Sequence, residues 1–371
     1  MSKAAELAAL IGSQTALSHR NFIINGAMQV AQRGTSSTGL GADQEDYHVI
    51  DRIKHLSGGT SAGRYTVTQE SITDLEGFPK ALKLACTTAD TSIGAGEFLG
   101  LSYFFEGQDV QGLEKGFSTA KPVTVSFYVK GNASATYTAE LKDSDNSRTN
   151  GQTFSVTTDW TRVKLTYPGD TTGKLNNDNG LSFALSLFLH GGSTYTGGTF
   201  TNGTWASEVA ANRISSSNSS FYDSTSRTFF ITGLQIEVGE QATPFEHRSF
   251  GDELTRCQRY YEKSYQYGDA EGTGTSNGVV ACDSGISSTG TRYFILSSND
   301  FKVTKRGFPT LTIYSQDGTV DHISRYNGSS TRVSVSSVAS EVDGSLGQYI
   351  QGDSSDTSQP YVFHWAADAE L

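Results

Sequence analysis

The sequence is short of the residues that mark several common protein classes. Of 371 residues only three are cysteine, Cys86, Cys257 and Cys282, odd in number, widely spaced and without a CxxC pair. This argues against a disulfide framework and a cysteine zinc site, and fits folding in a reducing cytosol. Basic residues are outnumbered, 28 to 39, for a formal net charge of −11. A field of that sign repels phosphate backbones and anionic membranes, so no nucleic-acid partner is expected. No run of about 18 apolar residues occurs, so no transmembrane helix or membrane insertion is expected. The opening MSKAAELAALIGSQTALSHR has one lysine, an apolar run broken by Glu6 and no small-residue cleavage pattern, which predicts no signal peptide.

Forty glycines, seventeen tyrosines and twenty phenylalanines, beside six prolines and two methionines, describe an all-β composition rich in turns. The length fits two or three domains. Residues 2–18 place Ala4, Leu7, Ile11 and Leu17 at helical spacing, which predicts a short helix over 1–20 that attaches or trimerises the chain, with Leu7 and Ile11 at the interface. From 21 to 248 the period becomes two. KPVTVSFYVKG sets Val123, Val125, Phe127 and Val129 on one face, and LSFALSLFL does the same with Leu181, Phe183, Leu185, Leu187 and Leu189. Weaker members lie at 80–86, 99–105, 161–167 and 229–238, the last with a parity break that predicts a bulge at Gly233. Seven or eight such strands predict an antiparallel jelly-roll sandwich with long loops at 131–152 and 190–228.

Residues 249–278 read as a connector: a helix opened by Ser249, Asp252 and Glu253, with Leu254, Cys257 and Tyr261 on one face, then a glycine-rich linker. Alternation returns over 279–371, where Tyr361, Phe363 and Trp365 share a parity, and predicts a second, smaller β domain.

Four stretches, NFIINGAMQVAQRGTS (21–36), DRI (51–53), GLQIEVGEQATPFEHRSFGDELTRCQRYYEKSY (233–265) and YVFHWAADAEL (361–371), resemble tail-fibre and related virion proteins of bacteriophages, especially those of marine and cyanobacterial hosts. Ile53 departs from the tryptophan that many of those proteins carry after DR. The resemblance implies a jelly roll similar to carbohydrate-binding modules, opened by N-x-x-x-N-G and closed by A-T-P-F-E-x-R. It also implies a homotrimer, assembled in the host bacterial cytoplasm and carried at the virion tail beside other tail proteins to meet host polysaccharide or lipopolysaccharide. Leu254, Cys257 and Tyr261 would then face a trimer axis.

Glycan binding needs an open aromatic face beside hydrogen-bonding groups. Segment 190–228 offers Tyr195 and Trp205 for stacking and Asn202 or His190 for hydroxyls; the competing reading has these aromatics pin the loop or fill an interface. Trp160 reads as core, and Trp365 as core of the C-terminal domain or trimer interface. No GxSxG or HExxH motif occurs and the seven histidines do not cluster, so no enzyme is expected, with a polysaccharide depolymerase or a purely structural virion protein as rival readings. DSDNSRTNGQTF begins like an EF-hand at Asp143, Asp145 and Ser147, but Arg148 and Phe154 stand where glycine and glutamate are needed, so it reads as a solvated acidic turn. No metal ligand set or cofactor is expected; calcium held by loop carbonyls with Asp43 or Asp46 stays open without a motif.

Overall fold

A computed structural model of the chain describes residues 19–282, 287–288, 291–295, 300–325, 332–339, 344–346, 349–352 and 360–371. The helix expected over 1–20, with Leu7 and Ile11, lies outside them except for His19 and Arg20, which are not helical. The chain forms two compact units: one runs to Gln29 and includes Ser36–Ser249 and Leu371, the other joins Val30–Thr35 to Phe250–Glu370.

The first unit is an antiparallel jelly-roll sandwich. In chain order its strands are β1 (Ser36–Leu40), β2 (Glu45–Tyr47), β3 (Lys54–Gly58), β4 (Arg64–Ser71), β5 (Lys80–Thr88), β6 (Phe98–Glu106), β7 (Val123–Gly131), β8 (Ala135–Asp143), β9 (Arg148–Val156), β10 (Thr161–Tyr167), β11 (Leu181–Gly191), β12 (Ala206–Ser207) and β13 (Thr228–Val238). One sheet has the order β1-β4-β5-β13-β7-β10 and the other β12-β9-β8-β11-β6-β3-β2, so the chain repeatedly crosses between them. The alternating residues do what their spacing demands: Val125, Phe127, Val129, Leu185, Leu187 and Leu189 are buried. Between the layers Phe127 meets Phe154 edge-on at 5.2 Å and Tyr137 meets Phe229 at 5.8 Å. An apolar cavity lined by Met28, Leu101, Leu185 and Ile231 holds only about 10 Å³, one water's worth of space, so the core is packed rather than hollow. Gly233 does sit at a bulge: register shifts between Thr232 and Gln235, its φ is +65°, and a Cβ there would lie 2.9 Å from Phe78 and Tyr128. The stretch 131–152 is not a loop. It holds most of the β8–β9 hairpin, whose inward alanines, Ala135 and Ala139, carry too little apolar signal to show the alternation.

The second unit starts with helix Phe250–Gln258 and continues through β14 (Tyr261–Lys263), β15 (Val280–Cys282), β16 (Ser287–Ser288), β17 (Thr291–Ile295), β18 (Thr310–Tyr314), β19 (His322–Arg325), β20 (Arg332–Ala339), β21 (Tyr349–Gly352) and β22 (Tyr361–Asp368). β22 is its spine, pairing with β14, β15, β18 and β19. Its Tyr361, Phe363 and Trp365 pack with Phe294, Phe301, Ile313 and Ile323, as the alternation predicts.

Three of the four stretches that carry the resemblance, all but DRI, contribute to two clasps. In the first unit Asn21 accepts from the Ile23 and Ile236 amides and donates to the Leu234 carbonyl, Glu246 accepts from the His19 and Asn21 amides, and Arg248 holds the Ile23 carbonyl. Gly26 lies against the Leu234 carbonyl, where a Cβ would come within 2.1 Å. In the second unit Arg33 stacks 3.7 Å above Tyr261 and pairs with Asp368 at 2.7 Å and Glu370 at 3.5 Å. Gln32 donates to the Tyr261 carbonyl, Lys263 reaches the Gln32 and Asp269 carbonyls, and buried Lys305 pairs with Glu262 at 2.6 Å.

This corrects the expected oligomer face. Cys257 and Tyr261 are buried within the chain, Tyr261 belongs to a strand under Arg33 rather than to the helix, and Leu254 is half-buried. Two of the three residues assigned to a trimer axis are covered by the same chain.

Arg33→Ala is expected to cost the second unit about 2–3 kcal/mol, less than a fully buried ion pair because the Asp368 side chain is 40% exposed. Amide exchange should quicken across β14 and β22 and stay unchanged across β7 and β11; unchanged rates in β22 would contradict the assignment.

Candidate functional site

The four glycan candidates do not form one site. Tyr195, in the helical turn Ser193–Thr196, packs edge-on to Phe98 at 5.2 Å. Trp205 packs on Phe183 at 6.2 Å and donates its indole N–H to the Pro168 carbonyl at 2.8 Å. Phe98 pairs with Gly191 at one end of the β6–β11 ladder and Phe183 with Phe105 at the other. Seven residues of strand, roughly 24 Å, separate the two aromatics' supports, too far for neighbouring sugar rings. Asn202 is exposed, in a turn that bridges to Gly151. His190 is wholly buried, its Nδ1 2.9 Å from Ser220 Oγ and its Nε2 3.2 Å from Glu97 Oε2. These two aromatics fit the competing reading, in which they pin the loop.

The segment 192–227 is a strap over the outer face of the second sheet. Arg213 grips Glu140 through contacts of 2.6–3.1 Å and lies 5.3 Å from the Phe188 ring, Ser215 N–H donates to Thr138 Oγ1, and Ser219 N–H donates to the Thr136 carbonyl. Outward-facing Thr138, Glu140 and Ser186 are therefore buried, and burial pushes the Glu140 carboxyl up against the pull of Arg213. Glu97, His190 and Ser220 follow the acid–histidine–nucleophile order, but Ser220 Oγ already accepts the Tyr222 N–H and the Tyr222 ring sits 5.2 Å from the imidazole. Ser220 is half-buried, and the array anchors the strap through His190.

The acidic turn also differs from its expectation. Asp143 is buried, not solvated: Lys115 Nζ contacts it, lies 3.1 Å from Asp170, and donates to the Thr172 and Gly173 carbonyls, while Arg148 forks onto Asp170 at 2.7 and 3.0 Å. Asp145 accepts from Asn176. An ammonium fills the place a cation would take, and the described residues contain no group of three or more His, Cys, Asp or Glu arranged for a metal.

The outer face of the first sheet is covered in one half only. Segment 239–248 lies over Thr124, Gln235 and Glu237, with Thr243 bonded to Glu237 and Arg162 reaching the Thr243 carbonyl. The other half is partly exposed, and register builds a row of half-buried residues across it that no local stretch reveals. Thr68 on β4 stands opposite Lys83 on β5, Lys83 opposite Phe230 on β13, and Phe230 opposite Lys130 on β7. Trp160 follows, because the next residue, Thr161, pairs with Val129. Adjacent columns are about 4.8 Å apart. Lys83 and Lys130 lie 5.3 and 5.2 Å from the Phe230 centroid, and the Trp160 ring is 6.2 Å from Phe230. Trp160, read from sequence as core, does pack against the buried cluster of Ile72, Phe78 and Ala81, yet stays half-buried at the end of this row, its indole N–H bonded to Asp74 at 3.0 Å. Lys130 and the indole hold the Asp74 carboxyl below its ordinary range. Two half-buried rings alternating with charged groups meet the physical needs of a saccharide platform.

No family model and no curated protein matches the chain. Solved structures similar to it include one described as CBM4, at 12% identity, TM-score 0.30, 58% of this chain and 98% of that one. TmCBM61 in complex with beta-1,4-galactotriose gives 8%, 0.30, 60% and 100%. The family 11 carbohydrate-binding module of a Clostridium thermocellum cellulosomal cellulase gives 12%, 0.27, 56% and 100%. No residue of the site is assigned through them.

His55 offers a check on the packing beside β3. It is buried, bonded through Nδ1 to Tyr65 Oη at 3.0 Å, and its pKa is lowered to about 3 by burial and then by His48. Between that value and the ordinary 6.5 the unfolded chain binds more protons than the folded one, so stability falls as pH falls. From pH 7 to 5 the wild type should lose about 2 kcal/mol more than His55→Gln in urea unfolding. Equal losses would place the imidazole in water.

Proposed function

We propose that this chain is a non-enzymatic subunit of a bacteriophage tail fibre that helps hold the particle to the host surface, by weak contacts of its jelly roll with host polysaccharide or lipopolysaccharide. The observation that carries the saccharide reading is the partly exposed row Thr68–Lys83–Phe230–Lys130–Trp160, where rings and charged groups alternate in register. The virion reading is supported by the resemblance of the four stretches. Repetition of the surface in a trimer, beside other tail proteins, would raise avidity without stronger single sites. A purely structural virion role is the second reading, favoured by one observation: much of the resemblance lies in the two clasps, which serve the fold.

Phe230→Ala and Trp160→Ala should each weaken adsorption of the purified protein to susceptible cells about tenfold, or about 1.4 kcal/mol. Trp205→Ala and Tyr195→Ala should not. Loss with Trp205→Ala and none with Phe230→Ala would move the site; binding to particles but never to cells would favour the structural reading; new reducing ends would reveal a depolymerase.

A further inference from the structure

Phe230 has an ion pair on each side. Glu70 lies 3.6 Å from Lys83, and Asp74 pairs with Lys130; the side chains are 39, 29, 52 and 21% exposed, respectively. Partly exposed pairs of this kind add little to fold stability. Asp74 gives one oxygen to Lys130 and the other to the Trp160 indole, so the freer pair is Lys83 with Glu70, 3.6 Å apart and beyond hydrogen-bond distance. A carboxylate beside an ammonium presents one acceptor and one donor a few ångströms apart, the complement of two neighbouring hydroxyls, each of which donates and accepts. The ring between the pairs suits the apolar face of a pyranose.

Resting on the reading of this surface as a saccharide site, we propose that its ligand is an uncharged saccharide whose pyranose units carry vicinal diols, and that acidic saccharides are refused. Refusal follows from charge. Both ammoniums already have an anionic partner, so a sugar carboxylate or phosphate meets Glu70 or Asp74 at close range, within the field of a chain of net charge −11.

The test measures binding of the full chain to dextran, mannan and xylan, and to polygalacturonate and alginate, at low and high NaCl. Wild type should bind at least one of the neutral set, change little with salt, and lose binding after periodate cleaves the diols. Glu70→Gln should weaken that binding about fivefold, because its acceptor loses its charge while the hydrogen bond remains possible. Preference for the polyuronates, with salt sensitivity and stronger binding by Glu70→Gln, would overturn the proposal, as would binding to none of the neutral set. If a polysaccharide binds and Phe230→Ala leaves its affinity unchanged, the site itself is wrong, whatever the ligand's charge.

Discussion

The first unit depends on the position of one strand. β13, last in the sandwich, lies between β5 and β7 in the middle of its sheet rather than at an edge. Before the bulge Phe229 and Ile231 face the core; after it Leu234 and Ile236 do, a parity change that Gly233 permits through its positive φ. The same ladder sets Phe230 opposite Lys83 and Lys130 on the outer face. The N-terminal clasp also closes on β13: Asn21 bonds its Leu234 carbonyl and Ile236 amide, and Gly26 abuts it. Core, platform and clasp thus share one backbone, so a register slip in β13 would move all three together.

Much of the fold was legible because alternation is a backbone constraint. KPVTVSFYVKG and LSFALSLFL could bury one face only as strands, and the break at Gly233 was visible as a change of parity. β8 escaped because small alanines face inward where larger residues would have shown the pattern. His190 stood on the outward parity of β11, and nothing local shows that Arg213 and Tyr222 would arrive from the strap to enclose that face. The platform was least legible, since Thr68, Lys83, Lys130, Trp160 and Phe230 come from five separated segments and meet only through register.

The stretches easiest to recognise are those least concerned with ligand. ATPFEHR ends the sandwich with Glu246 and Arg248 on the N-terminal segment 19–23, and CQRYYEK supplies the bed on which Gln32 and Arg33 lie. Such positions tolerate few substitutes because several partners converge on each. Residues on a partly exposed sheet face have fewer such partners, so a scaffold of this kind leaves its surface free to change, and function has to be argued from the site rather than the scaffold.

The chain contains three tryptophans, Trp160, Trp205 and Trp365, each with one indole N–H. Recording those three resonances while an oligosaccharide that the protein binds is added asks directly where the sugar sits. The platform predicts that the Trp160 signal moves and the other two stay; movement of Trp205 with Trp160 unchanged would contradict it.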